Sequence, residues 1–113
     1  MLDIDFFYEP EWFELGEALY LPDFKVFMPN GNVRWIEAKG PIYKLAKTKA
    51  RLLCKHTQQL VQIWAGSWGN QTIHNFEWRT GKVRISKSEY LDGGFEYWAR
   101  RELRSAYEQA KEV

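Results

Sequence analysis

Two carboxylates and a lysine, Asp23, Glu37 and Lys39, stand at spacings that suit phosphate chemistry. Between them, Pro29 suits the first corner of a type I turn, Asn30 the second, and Gly31 the left-handed residue that follows. That describes a three-residue hairpin loop with a G1 bulge. Met28 then pairs with Asn32. Counting outward, Phe27 faces Val33, Lys25 faces Trp35, and Asp23 faces Glu37. Opposed residues of an antiparallel pair hold their Cβ atoms about 4.5–5.5 Å apart. Lys39, two residues beyond Glu37, shares its face.

Like charges opposed across a ladder destabilise it, so the pair calls for a counter-charge. A divalent cation, Mg²⁺ or Mn²⁺, would supply one. Mg²⁺ typically takes one or two carboxylates, several waters and a substrate phosphate. The backbone carbonyl of Ala38 is a further candidate ligand. Lys39 would then orient or deprotonate a metal-bound water, or steady the phosphate as it gains charge. The count depends on the loop. A two-residue Asn30-Gly31 loop would pair Asp23 with Ala38 and send the two acids to opposite faces. The alternative reading is a solvated hairpin with a surface ion pair between Asp23 and Lys39.

The elements that must hold these residues follow from periodicity and punctuation. Residues 4–8 read as a short strand, and residues 9–16 as an irregular acidic segment. Phe24 to Met28 and Val33 to Lys39 are the hairpin arms. Pro41 to Thr57 reads as a helix, with Ile42, Ala46, Ala50 and Leu53 at helical spacing, supported by Leu45 and Leu52. Leu60 to Ala65 is apolar on both faces, as an interior strand should be. Thr72 to Arg79 and Lys82 to Ile85 form a second hairpin around Thr80-Gly81. After Asp92, a candidate N-cap, a last helix buries Phe95, Ala99, Leu103, Ala106 and Ala110. This order predicts an α/β domain over 1–113, a central mixed sheet flanked by helices. The helix between Lys39 and Leu60 fits a crossover between neighbouring parallel strands.

Composition narrows the function classes. The chain has 113 residues, a formal net charge of +1 and six Trp. That length fits one compact domain, and the aromatic content argues against disorder. The one cysteine, Cys54, forms no intrachain disulfide and no Cys-rich zinc site. A reducing, cytosolic setting is expected. No apolar run reaches the ~20 residues of a membrane helix, and the acidic start is unlike a secretory signal. Near-neutral charge gives no global nucleic-acid signature, so any such signal must be local.

Pro22-Asp23 followed by thirteen residues and Glu37-Ala38-Lys39 resembles the PD-(D/E)XK nuclease signature. Tyr8-Glu9-Pro10 lies ahead of it, a helix with Lys49-Ala50-Arg51-Leu52-Leu53 follows, and a strand closes in Trp64-Ala65-Gly66. The likeness, to small DNA-cutting proteins of phage or mobile-element type, covers about residues 8–66. Weaker agreement recurs at Ala106-Tyr107-Glu108-Gln109-Ala110. The resemblance implies a restriction-endonuclease-like sheet and Mg²⁺-dependent phosphodiester hydrolysis, in the host cytoplasm for a phage protein. It matches Asp23 and Glu37 to the metal-binding acids and Lys39 to the catalytic lysine. Such proteins usually supply another acid from an N-terminal helix. Here only seven residues precede Tyr8, so Glu9, Glu11 or Glu14 would substitute, Glu9 first. The other expectation is a catalytically impaired relative that binds DNA or a protein partner. A homodimer is expected, since a small nuclease with one site often pairs to cut both strands.

Other residues carry readings of their own. Lys44, Lys47, Arg51 and Lys55 recur at spacings of three, four and four, a basic stripe opposite the apolar one, with Lys49 and His56 nearby. The stripe is either a phosphate-tracking face for DNA or a solvated helix surface. His56 and His74 are expected to be structural, with a general-base role as the alternative. Cys54 is expected to be a packed residue, although the basic helix would favour a reactive thiolate. Trp12, Trp68 and Trp78 are expected under the flanking helices, the alternative being stacking on an unpaired base.

Overall fold

The computed structural model describes residues 6–16, 18–39, 44–67, 70–90 and 95–111; within these, a few side chains, among them those of Lys39 and residues 95–100, lie outside the description. The elements in order are β1 (Phe6–Tyr8), β2 (Phe13–Leu15), β3 (Ala18–Tyr20), β4 (Phe24–Phe27), β5 (Val33–Lys39), α1 (Lys44–Thr57), β6 (Leu60–Ser67), β7 (Asn70–Arg79), β8 (Lys82–Tyr90) and α2 (Phe95–Lys111). Six strands form one sheet in the order β1-β4-β5-β6-β7-β8, and β2 with β3 makes a separate two-stranded sheet. The protein is mixed α/β. β5 and β6 run parallel and every other neighbouring pair is antiparallel. The helix α1 is the crossover between the two parallel strands.

The β4–β5 turn has the form its residues demand. The Met28 amide donates to the Asn32 carbonyl at 2.9 Å, and the Gly31 amide donates to the Met28 carbonyl at 3.0 Å. Gly31 sits at φ +87°, a left-handed conformation that costs an L side chain roughly 1–2 kcal/mol. The register follows: Phe27 pairs with Val33, Lys25 with Trp35, and Phe24 with Ile36. At the other hairpin, Thr80 and Gly81 both have positive φ, +51° and +80°, as a two-residue type I′ loop requires.

Alternation along the strands divides the core in two. Trp35, Val61, Ile63, Ala65 and Phe76 face α1, where Ala50, Leu53 and Cys54 pack on them; Leu15 and Tyr20 of the small sheet join this cluster. Val26, Ile36, Trp64 and Ile73 form the opposite cluster, against which Leu103 of α2 packs. β6 is the interior strand, with Val61 to Ala65 buried on both faces.

Several expectations need correction. The segment 9–16 is not wholly irregular: Phe13 pairs with Tyr20 and Leu15 with Ala18 around Gly16 at φ +70°. Arms of three residues are too short for periodicity to register. The hairpin β7–β8 is longer than expected, running from Asn70 to Tyr90. Leu45 is 61% exposed and does not support the buried face of α1. Ile42 and Asp92 lie outside the described residues, as do the side chains of Phe95 and Ala99.

The cavity-free glycine at the β4–β5 turn gives the first test. Gly31 has open space around a would-be Cβ, so Gly31→Ala adds strain without a clash. It should lower unfolding free energy by about 1–2 kcal/mol in urea titration, and Gly31→Asn, which tolerates the left-handed region, by less.

Candidate functional site

The β4–β5 register, continued one step past Phe24–Ile36, sets Asp23 opposite Glu37. Asp23 leaves the strand in a bend, and its Oδ2 accepts the Ala38 amide at 2.8 Å. In an antiparallel pair a residue's N–H and C=O point to the same neighbour, so the Ala38 carbonyl also leaves on the Asp23 side. The carboxylate thus does the work of a missing ladder bond and is oriented by it. On the far side, the Glu9 amide donates to the Asp23 carbonyl at 2.7 Å.

Glu37 is buried, at 8% exposure. Beside it lies Tyr20, at the end of β3. Its hydroxyl donates to the Glu37 carboxylate, and its ionisation is pushed strongly upward by burial first, then by the charges of Glu37 and Asp23. One phenol therefore senses both acids, which places Asp23, Glu37 and Tyr20 in one neighbourhood. Lys39 follows on the same strand, paired with Ala65; its side chain lies outside the described residues.

The three candidate substitutes for an upstream acid separate. Glu9, in a left-handed conformation at φ +47°, comes to Asp23 through its backbone. Its carboxylate takes the Tyr8 hydroxyl, whose ionisation is raised mainly by that bond. Glu11 pairs with Lys25 at 3.5 Å. Glu14 lies exposed on β2. Among the described residues, no three His, Cys, Asp or Glu side chains form a group able to hold a metal ion. Glu9 is therefore not brought in as a third ligand with Asp23 and Glu37.

Lys25 shows how the small sheet and the acidic loop are fixed above this face. Its ammonium lies 4.9 Å from the Trp35 ring centroid and 5.4 Å from that of Phe27, with Glu11 as its ion partner. Phe13 of β2 packs edge-on against Trp35 at 5.1 Å and touches His56 at 5.9 Å. Trp35 in turn donates its indole N–H to Gln59 at 2.8 Å.

The basic residues of α1 divide as well. Lys44, Lys47, Arg51 and Lys55 are exposed, whereas Lys49 is half-buried and off the stripe. His74, half-buried on β7, has its pKa lowered by burial first, then by Lys47 and Lys87. Cys54 is fully buried and donates to the Phe76 carbonyl at 3.2 Å. Burial, with Glu77 adding, pushes its thiol up to about 11, so the helix lysines do not activate it. Trp12 is 66% exposed, against the expected burial. Trp78 is half-buried against the α1-side core as expected, and Trp68 lies outside the described residues. A cleft of about 560 Å³, lined by Arg34, Gln59, Glu77 and Trp78 among others, lies at the other end of the strands from the acids.

Tyr20 carries no sequence signal, because only long-range packing brings it to Glu37. The His74–Lys87 pair follows from counting outward from the Thr80-Gly81 loop, but the expected second arm stopped at Ile85, short of Lys87. Among the described residues no helix is long and apolar enough to cross a membrane. Compared with family models, curated proteins and solved structures, the chain matches none.

Two measurements check this geometry. Tyr20→Phe removes a buried donor from Glu37 and should cost about 1–3 kcal/mol in urea unfolding. His74 binds its proton less readily folded than unfolded, so its contribution falls as pH drops below the ordinary histidine value of ~6.5 and levels off below its lowered folded value. His74→Gln should therefore lose less melting temperature than the parent between pH 7 and 5.

Proposed function

We propose that the protein is a Mg²⁺-dependent DNA endonuclease with a restriction-endonuclease-like sheet. One observation carries this reading: Asp23, tied to the Ala38 amide, and buried Glu37 meet Tyr20 in one neighbourhood at the end of the β4–β5 hairpin. The strand holding Glu37-Ala38-Lys39 crosses through basic α1 to a parallel neighbour, β6, which supports the resemblance beyond the bare motif.

The donors suit a hard cation. Two carboxylates and the Ala38 carbonyl are all oxygen ligands, the set Mg²⁺ and Mn²⁺ favour. Asp23 and Glu37 would hold the ion with that carbonyl. When bound, it would lower the pKa of a water and offset charge gathering on the phosphate. The chain's own groups do the rest. The Ala38 amide orients Asp23, and the Tyr20 hydroxyl orients Glu37, as outer hydrogen bonds commonly do at metal sites. Lys39 is assigned the attacking water, as orienting cation or base. The exposed Lys44, Lys47, Arg51 and Lys55, with Lys49 behind them, hold the DNA backbone. Phe6, Phe7 and Tyr8 stand exposed on edge strand β1, which supports pairing of two copies so that both strands are cut.

A second reading keeps the fold and drops the chemistry: a catalytically impaired protein that binds DNA or a protein partner. It is favoured by the Asp23 oxygen already engaged by Ala38 and by Glu9 turning to Tyr8.

Purified protein with Mg²⁺ should nick plasmid or branched DNA. Asp23→Ala should slow nicking roughly a thousandfold or more, about 4 kcal/mol of transition-state stabilisation. Nicking that survives this substitution rejects the mechanism. Calorimetric titration decides between the readings: a folded chain that binds neither Mg²⁺ nor Mn²⁺ at millimolar concentration is the impaired form.

A further inference from the structure

We propose that Lys47, His74 and Lys87 form a phosphate-binding shelf that holds the DNA strand a few nucleotides from the acid pair. The identity of the occupant rests on the nuclease reading; the shelf itself rests on the sheet register.

One transverse row of the α1 face runs Glu37, Ile63, His74, Lys87, each paired with the next across three neighbouring ladders. Asp23 extends it beyond Glu37. Ile63, in the middle, is fully buried in the cluster that contains Ala50 and Leu53 of α1. The row becomes accessible again at half-buried His74 and exposed Lys87. These two are directly opposed, so their Cβ atoms lie about 4.5–5.5 Å apart. The helix packs on both β7 and β8. It brings exposed Lys47 near enough for its charge to act on the His74 ring together with that of Lys87. Three elements thus converge two ammonium groups and an imidazole on one patch. A lysine binds phosphate as a point charge, and an imidazole N–H adds a directed donor.

The spacing fits a nucleic-acid strand. Strands lie about 4.8 Å apart, so His74 is roughly 10 Å and Lys87 roughly 15 Å from Glu37 along the row. One DNA strand carries a phosphate for about every 3.4 Å of helix axis, so the span covers about three to four nucleotides. A backbone whose scissile phosphate sat at Asp23 and Glu37 would reach the shelf within half a helical turn.

Anisotropy of a short fluorescent DNA duplex, titrated against salt without divalent metal, tests the shelf apart from catalysis. The variant Lys87→Ala changes one exposed side chain that lies outside the α1 stripe, and its fold is checked by circular dichroism. Its slope of log K against log salt should be flatter than wild type by about 0.9, the loss of one phosphate contact. Lys111→Ala, on α2 beside Glu108 and Tyr107, should keep the wild-type slope. An unchanged slope in Lys87→Ala, or a wild type that binds no DNA at low salt, overturns the shelf. Cleavage with Mg²⁺ is scored separately. A flattened slope in a chain that nicks nothing keeps the shelf and rejects the nuclease; nicking with an unchanged slope does the reverse.

Discussion

The hairpin loop at Pro29–Gly31 is the constraint on which the site depends. Side chains alternate with a period of two, so a slip of one residue would send every group on an arm to the other face. The bond from the Met28 amide to Asn32, with Gly31 in its left-handed conformation, holds the odd-numbered loop. Asp23 and Glu37 face each other only in that register. β5 then passes the same indexing to β6 in parallel, and β7 and β8 carry it to the far edge. A turn of three residues therefore fixes both which groups share a face and which share a row.

Polar groups are costly beside a core unless their hydrogen bonds are met. Below the acids lies Trp35, nearly inaccessible, roofed by Phe13 and braced by Gln59. Glu37 follows it two residues later in the same strand and is almost as buried. Local groups meet part of this cost. Tyr20 donates to Glu37, and Asp23 takes the Ala38 amide where the β4–β5 ladder runs out. The small β2–β3 sheet therefore has a role beyond covering apolar surface, because it delivers the Tyr20 hydroxyl to the acids. Lys25 performs a similar office on the neighbouring pair, its stem and charge laid over Trp35 and Phe27 while Glu11 holds the loop down.

What the sequence disclosed follows from how local each signal was. Pro29-Asn30-Gly31 and Thr80-Gly81 encode turn geometry within a few residues, and the registers of both hairpins were legible from them. The crossover helix was legible because Ala46, Ala50 and Leu53 repeat at helical spacing and an apolar strand follows. The β2–β3 sheet was not, since three-residue arms carry no period and Glu11 and Glu14 made the segment look solvated. Trp12 was misplaced because a large aromatic near a loop has no pattern to show which side it takes. Tyr20 was missed for another reason: its partners come from distant strands, and only the assembled fold brings it to the acids. His74 was named but not its surroundings, and Lys87 lay beyond the Ile85 at which the second arm was expected to end.

That register also resolves a tension in the composition. A net charge of +1 gives no sign of a polyanion partner. Yet charge is not spread evenly over the α1 face. The acids collect where β4 and β5 end, with Glu9 and Glu11 nearby, while Lys47 and Lys87 stand across the sheet beyond the buried Ile63. Exposed charges farther apart than about 10 Å are largely screened at ordinary ionic strength, so each patch acts nearly on its own. The acidic patch alone would repel a phosphate backbone and needs a cation to accept one. On the proposed reading, the basic patch would attract the same backbone without help. On that reading, near-neutral overall charge follows because both halves of the proposed task lie on one face of one sheet and their charges offset.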